Sequence, residues 1–186
     1  MPRYVALLRG VNVGKGNRVP MAEFKHLLEG LGCTDVKTLL NSGNAVFSST
    51  VRSAEKLSLA IAAQVEGVFN VTTPVVVKSA SELALIISAA PISPTEEEHS
   101  RFLVAFGRDE NAVQALAPLV PLAEAPERLV ITNQAAYLHC PEGLLKSKVG
   151  EAMLGKAGRG VTTRNWATVL KIEALLSAVP LAGTPD

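Results

Sequence analysis

The chain has 186 residues, 48% of them hydrophobic but only 4% aromatic, and a formal net charge of +1. That length holds one ordinary domain or two small halves sharing a core, which has to be built from Val, Leu, Ile and Ala. The near-neutral charge excludes a general nucleic-acid binder that works by bulk positive potential, and the absence of a run of about eighteen apolar residues excludes a hydrophobic membrane span.

The first apolar run, Tyr4 to Leu8, is too short for a signal-peptide core, so the expectation is a soluble cytoplasmic protein with no membrane contact. Cys33 and Cys140 lack metal-ligand spacing and read as small core residues in a reducing compartment. Tyr4 to Arg9 reads as a strand. The loop "GVNVGKGNRV" follows, then an amphipathic helix from Pro20 to Leu31 with Met21, Phe24, Leu27, Leu28 and Leu31 on one side, stopped by Gly32. Val36 to Leu40 and Ala45 to Ser48 flank "NSGN", a β-hairpin signal. Ser53 is placed to cap a helix that turns Leu57, Ala60, Ile61 and Val65 inward, and "TPVVVKS" makes the next strand. A short helix spans Ser81 to Ala89, and "APISPTEEEHS" reads as a linker.

After the linker the order repeats. Phe102 to Phe106 is a strand, Glu110 to Ala117 a helix, and Leu129 to Ile131 with Ala136 to His139 a second hairpin around "TNQA". Ser147 caps a helix to Leu154. Thr162 or Thr163 is expected to cap a last helix in which Trp166, Val169, Leu170 and Ile172 are largely buried. The expected fold is therefore α+β, with two ferredoxin-like βαββα halves packed together: a first half over 1–90, a linker over 91–101, and a second half with a C-terminal helix over 102–186.

Charge is uneven along this frame. Arg3, Arg9, Lys15 and Arg18 open the chain without an acid, and Lys146 to Lys171 carries six cations against Glu151, while the middle is acidic. The opening loop is neither of the familiar phosphate cradles. Gly10 and Gly14 are three residues apart where a Walker A loop needs four, Gly16 stands where its hydroxyl residue belongs, and Val19 occupies the third glycine position of a dinucleotide fingerprint. What remains is a strand end, glycines able to turn amides into a concavity, and a following helix N-terminus, a combination that accepts phosphate or carboxylate.

Catalytic patterns are scarce. His26, His99 and His139 form no pair with metal-ligand spacing, so no metal is expected, and Ser42 lies in no nucleophile elbow.

Taken together and in this order, "YVALLRGVNVGKGNRVPMAEFKHLLEGLG", "VKTLLNSGNAVFSS", "EEEHSRFLVAF", "LLKSKVGEAML" and "VTTRNWATVLKI" resemble a widespread bacterial family classed as domain of unknown function 1697. The resemblance runs from Met1 to about Ser177. The family usually shows G-G-K-N where this chain has Gly14-Lys15-Gly16-Asn17, and glutamine where it has Asn41. The resemblance implies a two-part α+β fold and brings no established activity or cofactor. The family's characteristic residues fall on Arg9, Gly10, Asn12, Gly14 and Asn17 in the loop, and on Ser42, Gly43 and Asn44 in the hairpin. In the C-terminal third they fall on Ser147, Lys148, Thr163, Arg164, Asn165 and Trp166.

So polar a signature points to a shared site more than to a core. The expected ligand-binding set is Arg9, Asn12, Gly14, Asn17, Ser42, Asn44, Lys148, Arg164 and Asn165, serving a binding module for an anionic, phosphorylated small molecule. The alternatives are an enzyme of unknown reaction in the same basic pocket, a nucleic-acid binder, which the shortage of aromatics disfavours, and a structural or oligomerising domain. Asn12, Asn44 and Asn165 have a competing role as turn caps, and Trp166 as core.

Overall fold

The computed structural model describes residues 1–178. It is an α+β protein with two four-stranded antiparallel sheets. In the first, β1 (Arg3–Leu8) lies between β3 (Asn44–Ser48) and β4 (Val75–Ser79), with β2 (Thr34–Leu39) outside β3. β1 is apolar from Tyr4 to Leu8 because it is covered on both faces. Strand alternation sends Tyr4, Ala6 and Leu8 under α1 (Met21–Gly30) and α2 (Ala54–Phe69), and Val5 and Leu7 to the opposite side. Ser53 Oγ accepts the Lys56 amide at the start of α2.

The second sheet repeats the relative order, with β5 (Phe102–Gly107) between β7 (Ala135–His139) and β8 (Val161–Asn165), and β6 (Arg128–Ile131) outside β7. Its outer face, with Leu103, Ala105, Ala136 and Leu138, packs on α4 (Glu110–Gln114) and α5 (Lys148–Leu154). Between the sheets lie α3 (Ala80–Ser88) and α6 (Trp166–Ser177), joining Val5, Leu7, Val46 and Val76 of one sheet to Phe102, Val104, Phe106 and Tyr137 of the other. Trp166 is part of this core, edge-on to Phe102 at 5.2 Å between ring centroids.

Polar contacts also cross between the sheets. Tyr137 Oη donates to the Ile86 carbonyl at 2.5 Å, and Arg3 Nη1 reaches the carbonyls of Leu176, at 2.7 Å, and Ala178 at the end of α6. A cation at a helix C-terminus meets carbonyls that have no partner inside the helix.

Two local expectations change. Thr162 and Thr163 do not cap the last helix. They continue β8, in register with Phe106 and Ala105 of β5, and Asn165 is the cap, its Oδ1 accepting the Thr168 amide at 2.9 Å. The β-branched run suits a strand, and pairing with a distant strand outweighs the local capping signal. The helix after β5 ends at Gln114 instead of Ala117, and the chain continues as a 3-10 segment over Ala117–Leu122 that contains Pro118 and Pro121. The acidic run after the prolines is also a 3-10 turn, Glu96–Arg101, opened by a capping box between Thr95 and Glu98. Among the described residues no helix is long and apolar enough to cross a membrane.

Candidate functional site

The loop after β1 is held by its own asparagines. Asn12, in the left-handed region at φ 57°, accepts the Val19 amide with Oδ1 at 2.9 Å and donates through Nδ2 to the carbonyls of Val19 at 2.9 Å and Asn41 at 2.8 Å. Its own amide donates to the Asn17 carbonyl at 2.9 Å, and Asn17 Nδ2 reaches back to Gly10 at 3.4 Å. Gly14 sits exposed at the tip with φ 66°.

Arg164 lies on β8 beside the β2–β3 turn and is only 7% exposed. Its Nε donates to Asn44 Oδ1 at 2.5 Å and Nη1 to Thr162 Oγ1 at 2.8 Å and the Thr163 carbonyl at 2.9 Å. Nη2 reaches the carbonyls of Leu8 at 2.7 Å and Ser42 at 2.9 Å. Asn44 is fully buried and completes the lock by donating to the Leu39 carbonyl at 2.8 Å and to Ser42 Oγ at 2.9 Å. All of these acceptors are neutral, and among the described residues no carboxylate forms an ion pair with Arg164. Burial pushes its pKa down to about 10, which leaves it charged at neutral pH, supported by charge-assisted hydrogen bonds instead of a counter-ion.

Arg9 crosses in the opposite direction. Its guanidinium meets the carbonyls that end α5 and the turn beyond it: Leu154 at 2.8 Å, Gly155 at 3.1 Å and Gly158 at 2.5 Å. Partial burial, then the charge of Arg159, lower its pKa. Arg159, next in chain to Gly158, is exposed.

Between these two arginines is a cleft of about 470 Å³. Arg9, Gly10, Val11, Val13 and Ser42 line one side. Met153, Leu154, Val161, Thr162, Thr163 and Arg164 line the other. Its walls are part apolar and part hydroxyl, its charged groups are both arginines, and it has no acid, histidine, cysteine or lysine in its lining.

The structure thus brings Arg9, Ser42 and Arg164 to one cleft, with Asn44 directly behind Arg164. Asn12, Gly14 and Asn17 shape the adjoining loop, and Asn12 also lines a separate depression of about 230 Å³ with Arg18 and Asn41. Lys148 is elsewhere. It opens α5 while Arg9 closes it, about 10 Å away along the helix axis, and it lines a depression with Glu124, Glu127 and Glu142. Asn165 is engaged as the α6 cap. Sequence reasoning did not single out Thr162, Met153, Leu154, Val161 or Arg159. Alternation along Val161–Asn165 was the available signal for Thr162 and Val161, and a helix-start reading of that segment hides it.

Among the described residues no group of three or more His, Cys, Asp and Glu is placed to hold a metal ion. No curated protein matches the chain. Among solved structures it is similar to the conserved bacterial protein SP0830 from Streptococcus pneumoniae, with 26% identity, 95% of this chain and 99% of that chain covered, and a TM-score of 0.71. Residues 1–137 match the family model described as "Protein of unknown function (DUF1697)", and the chain belongs to that family.

Proposed function

We propose that the cleft between Arg9 and Arg164 binds a small anionic ligand carrying a phosphate group. The observation that carries this reading is a cleft lined by two arginines and no acid, in which one arginine is buried without a counter-ion. An anion entering it meets a positive potential focused by low-dielectric walls. Arg159, exposed and close enough for its charge to act on Arg9, adds to that potential. Ser42 Oγ accepts from Asn44 and so has its own proton to donate. Met153, Leu154 and Val161 offer apolar surface to the rest of the ligand.

Binding is favoured over catalysis because no side chain in the lining titrates near neutral pH, and general acid–base chemistry requires one. A small ligand is favoured over nucleic acid because no aromatic ring lines the cleft to stack on a base. We also read the chain as two ferredoxin-like halves related by duplication, with the division 1–90, 91–101 and 102–186. The shared strand order of the two sheets supports this, and residues 179–186 of the second half lie outside the described residues. The buried, unpaired Cys33 and Cys140 favour a reducing, cytoplasmic setting.

A thermal-shift screen of nucleotides, sugar phosphates and short oligonucleotides tests the function. Ligand at a hundred times its Kd stabilises the folded state by about 2.7 kcal/mol, a readily measured rise in Tm. A rise with phosphorylated small molecules supports the reading. A rise with oligonucleotides alone, collapsing as salt increases, moves the function to nucleic acid. No rise with any anion leaves the arginines as ties between the sheets.

A further inference from the structure

Lys78 is the one buried lysine among the described residues, 9% exposed, while the other eight are exposed or partly so. It follows three valines on β4, where alternation places it with Val76 on the inner side of the sheet and away from Val75 and Val77. Among the described residues it makes no ion pair within 4.0 Å. It lines a pocket of about 240 Å³ on the seam between the sheets. Glu82 and Ile86 of α3, Arg108 to Glu110 at the start of α4, and Asn133 and Gln134 of the β6–β7 turn form the rest of the wall. This pocket shares no lining residue with the arginine cleft, so either site stands or falls without the other.

We propose that this pocket admits a small neutral, hydroxyl-bearing aldehyde or ketone and that Lys78 Nζ traps its carbonyl as an imine. The unprotonated amine adds to the carbonyl carbon, forming the C–N bond. The C=O π bond opens, and one nitrogen proton passes through water to the oxygen. The resulting hydroxyl then leaves with the second nitrogen proton as one molecule of water, giving C=N; no oxidant or reductant is consumed.

The wall chemistry selects the class of carbonyl compound. Once Lys78 is neutral, Glu82, Asp109 and Glu110 outnumber Arg108, so keto acids and phosphorylated aldehydes are repelled. The carboxylates and the amides of Asn133 and Gln134 suit hydroxyl groups. Burial lowers the Lys78 pKa, with the charges of Glu82 and Asp109 acting the other way. A lowered pKa leaves more of the amine in its reactive, unprotonated form near neutrality.

The full chain incubated at neutral pH with glycolaldehyde and sodium cyanoborohydride, followed by peptide mass spectrometry, tests this directly. Lys78 is expected to be alkylated faster than exposed Lys56, with a rate that saturates in glycolaldehyde, and its advantage over Lys56 is expected to shrink with glyoxylate, an aldehyde of similar size that carries a carboxylate. Gln134→Trp, at an exposed position on the pocket wall, is expected to slow Lys78 and leave Lys56 unchanged. Labelling of Lys78 at or below the Lys56 rate overturns the proposal. So does a Lys78 rate that Gln134→Trp does not change.

Discussion

Arg164 Nε and Asn44 Oδ1 meet at 2.5 Å across 120 residues of sequence and join β8 of the second sheet to the hairpin of the first. Both groups are buried, so losing either leaves desolvated partners unsatisfied. Arg164→Ala is expected to destabilise the protein by about 3 kcal/mol or more, read from the denaturant midpoint. Arg164→Lys recovers only part of this, because an ammonium cannot reproduce a planar fork aimed at separate acceptors. Asn44→Ala costs about 2 kcal/mol by removing the acceptor for Nε. Midpoints within error of the wild type for all three would show that the lock is incidental.

Gly43 holds φ +83° in the turn just before Asn44, and a Cβ there would lie 2.8 Å from both Leu8 Cβ and Val11 Cγ2. Gly43→Val is expected to cost roughly 3 kcal/mol through strain and overlap together. Gly14→Ala, at φ +66° with open space around the new Cβ, costs only about 1 kcal/mol. Equal melting temperatures for the two variants would contradict this.

The Glu98 carboxylate accepts from the Thr95 amide and hydroxyl, both at 3.1 Å, and stands 3.2 Å from His139 Nε2. The backbone bond first, then the hydroxyl and the histidine, hold its pKa below the ordinary 4.5. For an acid depressed by folding, the associated stability is present above the unfolded value and is lost as pH falls through the folded one. Tm is therefore expected to drop more steeply below pH 4.5 in the wild type than in Glu98→Gln. Parallel acid limbs would remove Glu98 from the account.

Elements set by local pattern were legible in the sequence: β1 from its apolar run, α2 and α5 from Ser53 and Ser147, and the first hairpin from its glycine and asparagines. What depended on distant pairing was not. Thr-Thr-Arg-Asn carries the polar residues of a helix start, yet β5 draws it into a sheet. The two basic ends do contribute Arg9 and Arg164 to one cleft, but most of their partners are backbone carbonyls, which leave no mark in composition, and the side-chain acceptors of Arg164, Asn44 and Thr162, are brought to it by distant strand pairing and by its own strand. Lys148 joins them in the sequence as a characteristic family residue beside the helix start at Ser147, yet the length of α5 separates it from Arg9. Lys78, a single charge closing a valine run, gave a signal only once burial placed it.

The most direct test of the central claim is the affinity of the cleft for inorganic pyrophosphate, measured by titration calorimetry at fixed ionic strength. The comparison is between the wild type, Arg159→Glu and Lys56→Glu. Arg159 is exposed beside Arg9 and outside the Arg164 lock, so reversing its charge tests the potential of the cleft and leaves the lock in place. The account predicts a loss of about tenfold or more for Arg159→Glu, equivalent to about 1.4 kcal/mol, and no change for the charge-matched Lys56→Glu on α2. Pyrophosphate that binds none of the three proteins, or binds all three alike, would contradict it.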